Sequence, residues 1–183
     1  MSGDITPDAP EAPLEEVLDS YPVDPSASGI VIDPEITEAD LSKHVEFSSD
    51  TPVSKQRQLR SELGVLSSGR AARSSQWSSF VIPPGGGWSK LIKSGWAFVG
   101  TRPTTKKLYE WKLSPGTNQS VCMRGQGHTR KYVGSSLEEV RAMYGLGCGD
   151  SGSAWVPWGE VMAYPKVSGR SATIVSAGTG MFH

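Results

Sequence analysis

The chain has 183 residues, 19 acidic and 18 basic side chains, and a formal net charge of −1. That length can build a core of its own, and no run approaches the ~18 apolar residues of a membrane span, so no transmembrane helix is expected. The near-zero charge hides a split: residues 1–50 hold thirteen of the 19 acids and one base, Lys43, whereas residues 51–183 hold six acids and seventeen bases. The halves thus carry 1 − 13 = −12 and 17 − 6 = +11. An acidic segment joined to a basic body points to binding. The body is expected to seek a polyanion, RNA or an anionic membrane surface, and the segment to compete for that surface or reach a basic partner.

Residues 1–53 read as a disordered acidic arm. Tyr21 and Phe47 are the only aromatic residues among the first 75, too few apolar groups to offset the entropy of ordering. The first six residues show no basic or apolar region of a signal peptide. Within the arm, Leu14, Val17, Leu18 and Tyr21 follow i, i+3, i+4, i+7 spacing after Pro13, which predicts a short helical motif for a protein partner's groove. Residues 54–75 read as a short helix and a basic Ser/Arg linker. Leu59, Leu63 and Leu66 form a thin stripe with Lys55, Arg57 and Arg60 outside it, and Arg70 and Arg73 follow in the linker. Arg57, Arg60, Arg70 and Arg73 are candidate phosphate contacts.

All six tryptophans lie between Trp77 and Trp158, which places the folded body at 76–183. Strands are expected at 79–82, 96–101, 107–113, 119–123, 130–133, 153–156, 160–164 and 172–177, bounded by Gly, Pro, Ser and Asn clusters. One helix is expected from Ser136: Glu139 completes a capping box, and Leu137, Val140, Met143 and Tyr144 share a face. The predicted fold is a β-rich α+β body, a compact antiparallel sheet or sandwich with one packed helix, preceded by the disordered arm.

Two stretches interleave cations with aromatics. Lys106, Lys107 and Trp111 occupy one; Arg124, Arg130, Lys131 and Tyr132 the other. On neighbouring strands they would form an anion-binding face on which Trp111 and Tyr132 stack bases. The alternative places Trp111 in the core with lysines on the solvated side. Cys122, His128 and Cys148 lack metal-ligand spacing, and Gly125-Gln126-Gly127-His128 lacks the context of a phosphate loop, so neither metal nor cofactor is expected. The two cysteines fit reduced thiols in a cytosolic setting, although the sequence leaves their pairing open.

Cys148-Gly149-Asp150-Ser151-Gly152-Ser153, followed by residues 174–180, resembles the nucleophile loop and substrate strand of chymotrypsin-like serine proteases. The resemblance implies Ser151 as nucleophile, with amides of Gly149 and Ser151 as an oxyanion hole. It departs where a base is needed: His44 lies in the acidic arm, and no Asp occurs between Asp50 and Asp150. Tyr132–Val140, Met143–Leu146 and Gly152–Val156, with Gly100-Thr101-Arg102-Pro103 and Lys106, resemble the last helix, the following strand and an earlier segment of rhabdovirus matrix proteins. That resemblance implies a virion protein that self-associates and binds ribonucleoprotein and membrane. The sequence therefore predicts a non-enzymatic binding and assembly protein, viral structural or accessory. It would be cytoplasmic or in the virion, bridging RNA, ribonucleoprotein or a membrane face to a protein partner through its N-terminal arm. The alternative is a small serine hydrolase using Ser151.

Overall fold

Residues 121–149 form a long hairpin around which the chain is organised. A computed structural model describes residues 8–24, 29–65, 77–116, 120–171 and 177–183. Arg70, Arg73, Leu66, the expected linker and most of the expected strand at 172–177 lie outside those residues. Among the described residues the elements run β1 (Leu14–Pro22), β2 (Val31–Ile32), α1 (Glu38–Leu41), β3 (Val45–Phe47), α2 (Val53–Leu63), β4 (Ser78–Ile82) and β5 (Ile92–Lys93). They continue as β6 (Ala97–Val99), β7 (Lys106–Leu113), β8 (Val121–Val133), β9 (Ser136–Gly149), β10 (Ser151–Pro157), β11 (Val161–Ala163), β12 (Lys166–Ser171) and β13 (Gly178–Phe182).

Three sheets result, ordered β1-β9-β8-β12-β5, β10-β7-β13-β4 and β2-β11-β6-β3. The pairings of the first two are antiparallel; the third is mixed, with β2 and β3 running parallel to their neighbours. One apolar cluster takes residues from all three sheets, among them Phe80, Trp111, Met123, Tyr144, Val161 and Phe182. A second gathers Ile30, Val45, Phe47, Leu59, Leu63 and Tyr164. The β-rich, antiparallel character expected of the body is present.

The helix expected at 136–144 is instead β9. Val140, Ala142 and Leu146 are buried, and Ala142, Tyr144 and Leu146 join the first core cluster. Membership of that cluster alternates by two, although Met143 between them is buried as well, and it competes with the helical spacing of Leu137, Val140 and Met143. The turn decides between them. Val133 pairs with Ser136 across a two-residue loop, and Gly134 adopts φ 62°, the left-handed conformation such loops need. The last helix implied by the matrix-protein resemblance is therefore strand here. The expected helix near 54–66 is present as α2, closed by Gly64 at φ 72°.

The arm is the larger correction. Residues 8–24 and 29–53 are packed on the body, with β1 along β9 and β2 and β3 in the third sheet. The segment 14–22 is a strand, not a helix. Its pairing shifts between Leu14 and Glu16 and between Val17 and Asp19, and these irregularities absorb spacing that does not alternate by two. Tyr21 packs on the first core cluster, while Leu14 and Val17 are each 57% exposed and Leu18 also stays exposed. Asp40 anchors α1: the Tyr164 hydroxyl donates to it at 2.6 Å and the Thr37 amide at 2.8 Å.

Cys122 and Cys148 are opposite one another on β8 and β9 and form a disulfide, correcting the reduced-thiol reading. The hairpin brings together cysteines 26 residues apart, a proximity that sequence spacing does not disclose.

Candidate functional site: the charged face and the cavity at the hairpin tip

Most of the expected anion-binding cations are engaged internally. Six ion pairs join acids of residues 11–50 to cations of the body. Glu11 pairs with Lys106, Glu16 with Arg124 at 2.6 Å, Asp19 and Asp33 with Arg141 at 3.2 Å each, Glu35 with Lys166, and Asp50 with Arg102 at 3.9 Å. Six of the thirteen acids of residues 1–50 are thus met by cations of the body. Arg124 also lies 4.2 Å over the Trp88 ring, so its aromatic partner is neither Trp111 nor Tyr132, and Arg141 lies 4.6 Å over Tyr21.

Lys107 is not on a surface. It is 2% exposed, donates from Nζ to the Leu108 carbonyl at 3.0 Å and lies 5.1 Å from the Phe98 ring centre. Burial pushes its ammonium pKa below the usual lysine range. Trp111 is 2% exposed, and its Nε1 donates to the Leu146 carbonyl at 3.1 Å. Both residues face inward with Tyr109 on β7, which removes Lys107 as a phosphate contact and Trp111 as a stacking platform. Arg60 is half-buried 5.1 Å over Phe47, whereas Arg57 and Lys131 are exposed. Tyr132 is 75% exposed near the hairpin tip.

Ser151 is exposed at the start of β10, opposite Lys112 on β7. The shallow pocket it borders is lined by Pro10, Glu11, Gly145, Cys148 and neighbours, and that lining includes no histidine among the described residues. His128 lies elsewhere, on β8 beside Trp158. Among the described residues no group of three or more His, Cys, Asp or Glu side chains is placed to hold a metal ion.

Lys106, Arg130 and Tyr132, distant in the chain, meet at one cavity of about 530 Å³. Its walls include Leu137, Pro157 and Trp158. At its polar side Arg130 donates from Nε to Glu139 at 2.9 Å and from Nη2 to the Glu160 carbonyl at 2.7 Å, with Glu160 Oε1 3.7 Å from Nη1. His128 completes it. The ring is 1% exposed, packs edge-on to Trp158 at 4.6 Å between centres, and has no hydrogen-bond partner at either nitrogen. Gly127 permits this packing, since a Cβ there would lie 2.5 Å from Val156 Cγ1 and 2.6 Å from the Pro157 carbonyl oxygen. Gly125-Gln126-Gly127-His128 is thus a strand segment shaped for close packing of β8 on β10.

No family model, curated protein or solved structure matches this chain.

The two buried ionisable groups oppose one another. Burial, with repulsion from Arg141 and Lys166, pushes the His128 imidazole down to about 3. The unfolded chain, at ~6.5, takes up that proton first, so the stability this histidine contributes is complete above ~6.5 and is lost as the pH falls toward 3. Burial raises the Glu139 carboxyl to about 7, against the pull of Arg130. Its contribution has the opposite sign: complete below the unfolded pKa of ~4.3, it is lost as the pH rises through 7. Glu139→Gln removes the second contribution. From pH 7 to pH 5 that variant loses about 2 kcal/mol more stability in urea unfolding than the Glu139→Gln/His128→Asn double variant. An equal loss in both would mean that His128 titrates normally.

Proposed function

We propose that the protein is a non-enzymatic binding and assembly protein for an anionic partner, single-stranded RNA or ribonucleoprotein, and that its acidic N-terminal segment occupies part of the cationic surface in the free state. The observation that carries this reading is the pairing of Glu11, Glu16 and Asp19 with Lys106, Arg124 and Arg141. Phosphates would displace these carboxylates one side chain at a time. RNA is favoured over a membrane face because the exposed Tyr132 beside Lys131 offers base stacking next to a phosphate contact. A lipid surface needs a contiguous unpaired cationic face. No helix among the described residues is long and apolar enough to cross a membrane. The protein-partner half of the reading falls on β1, the edge of its sheet, with Leu14 and Val17 exposed. In a virion, the setting the matrix-protein resemblance implies, the anionic partner is the ribonucleoprotein.

The test is a fluorescence-anisotropy titration of full-length protein with labelled oligouridylate across ionic strengths, beside co-sedimentation with phosphatidylserine vesicles. RNA binding that falls with salt and weakens in Tyr132→Ala supports the reading. Vesicle binding that is stronger than RNA binding and indifferent to Tyr132 contradicts it.

A further inference from the structure

The first sheet changes character from one edge to the other. Toward β1, Glu16 and Asp19 meet Arg124 and Arg141. Toward β12 and β5 the chain is made of residues 77–109 and 161–183, which contain no Asp or Glu. Glu35 reaches across to Lys166, but no described acid reaches Arg170. We propose that Arg170 and Lys90, at this uncovered edge, hold the phosphates by which single-stranded RNA first docks, with Trp88 keeping Arg170 in place. The site rests on the RNA reading and supplies what the paired cations do not, phosphate contacts that are open in the free protein.

Register places Arg170 opposite Cys122, two residues along β8 from Arg124, which stands opposite Ser168. The two arginines therefore share a face of the sheet. Both meet one indole: Arg124 Cζ lies 4.2 Å and Arg170 Cζ 5.0 Å from the centre of the Trp88 ring. Ser89 fixes the indole there. Its amide donates to the Gly169 carbonyl at 2.7 Å, and its hydroxyl accepts from the Gly169 amide at 3.1 Å. Its carbonyl accepts from the Ser168 hydroxyl at 2.7 Å. Lys90 follows Ser89 and Arg170 follows Gly169, so both cations adjoin one hydrogen-bonded pair of residues.

Arg170 and Lys90 are exposed, and neither has an ion pair among the described residues. Before Trp88, Gly85, Gly86 and Gly87 are exposed as well, and a Cβ on any of them would meet nothing within 4 Å. A long ligand thus approaches without displacing a side chain. Solvated cations offer a single small anion little, because water screens each contact. A chain of phosphates gains from the counterions released at every contact. The Arg170 guanidinium presents a planar fork that grips phosphate bidentately, and its plane also serves to stack a base. Arg124 links this edge to the acidic segment, since it touches both Trp88 and Glu16, the latter at 2.6 Å. RNA held at Arg170 is therefore placed to compete with Glu16 for Arg124, and the acids need not move before docking begins.

Full-length protein is titrated with labelled oligouridylate by anisotropy at several salt concentrations, with tryptophan fluorescence as a second readout. The Arg170→Gln/Lys90→Gln double variant binds about tenfold more weakly at low salt, and its log–log salt slope is shallower by about 1.4, two contacts at ~0.7 each. Its melting temperature stays at the wild-type value, because both side chains are exposed. Arg170→Lys, which keeps the charge, keeps the slope. RNA quenches tryptophan fluorescence, and Trp88→Phe, which leaves a ring against the guanidiniums, removes most of that quench. The proposal is overturned, with the RNA reading intact, if wild type binds oligouridylate, Tyr132→Ala weakens that binding, and the double variant matches wild type in affinity and slope. It is overturned equally if the quench persists in Trp88→Phe, or if the double variant loses phosphatidylserine vesicles while keeping RNA. Failure of the wild-type protein to bind oligouridylate at all overturns the RNA reading, and this site with it.

Discussion

Replacing Glu11, Glu16 and Asp19 by Gln, Gln and Asn tightens binding of single-stranded RNA by about tenfold at low salt and steepens its salt dependence by about 1.4 in the log–log slope. The formal net charge moves from −1 to −1 + 3 = +2, but the larger effect is local. The Glu11 and Glu16 substitutions free Lys106 and Arg124, whereas Arg141 keeps its ion pair with Asp33 at 3.2 Å when Asp19 is replaced. Two freed cations at ~0.7 released counterions per single-strand phosphate give the predicted slope. The pairs involving Glu11 and Asp19 are solvated enough that each contributes at most ~1 kcal/mol to stability. Glu16 covers the more deeply placed Arg124, which keeps its contact with the Trp88 ring when the carboxylate is gone. The triple variant therefore folds. Affinity and slope equal to wild type, in anisotropy titrations at several salt concentrations, would show that these carboxylates do not compete with phosphate.

Trp111→Ala destabilises the protein by about 3–5 kcal/mol, a large share of the ~5–15 kcal/mol that holds an ordinary domain together. The indole lies in the main core cluster, its Nε1 satisfied by the Leu146 carbonyl. Gly152 is built against it, since a Cβ there would lie 2.6 Å from Nε1. Truncation leaves a cavity in the core and an unpaired carbonyl beside it. Tyr132→Ala, at the other candidate stacking residue, changes stability by ~0.5 kcal/mol or less because the ring is exposed. Urea unfolding of the two variants separates a core aromatic from a surface one. Equal stabilities would place Trp111 on a surface and reopen the stacking role expected of it.

The strands at 78–82, 97–99, 106–113, 151–157 and 161–163 are legible in the sequence, because β-branched and aromatic runs bounded by Gly and Pro are local signals, whereas β5 is not. Segment 136–149 was not, because Val140 belongs to two patterns at once, and Ser136 with Glu139 imitates a helix start. What selects the strand is the partner, β8, together with the two-residue turn at Gly134. The ordering of the acidic segment escapes the sequence for a related reason. Acidic composition with two aromatics predicts disorder only if the acids stay solvated. Here Asp33 is buried against Arg141, 108 residues away, and Glu16 meets Arg124 at the same separation. Local composition carries no trace of such pairings. On β7, Lys107 stands at an inward position that an apolar residue ordinarily occupies, so alternation alone could not tell which face held Trp111.

The candidate site was legible in part. The sequence groups Lys106, Arg130 and Tyr132 along a cationic strip, whereas the fold places them around one cavity. His128 and Glu139 were read as an isolated histidine and a capping residue. The pairing of Arg130 with Glu139 across β8 and β9 brings Glu139 to the cavity, and no sequence signal marks that pairing in advance.

Amide hydrogen exchange on the full-length protein tests most directly the claim that the acidic N-terminal segment is folded onto the body. The Ala12 amide donates to the Trp155 carbonyl, Val23 to Leu137, Val31 to Glu160 and Asp33 to Met162. These four amides should exchange about 100-fold or more slower than an unstructured chain, and should remain slow in the Glu11/Glu16/Asp19 variant, whose backbone pairing is intact. Exchange at the unstructured rate throughout residues 8–24 and 29–53 would contradict the account, and the acidic segment would then be a free arm.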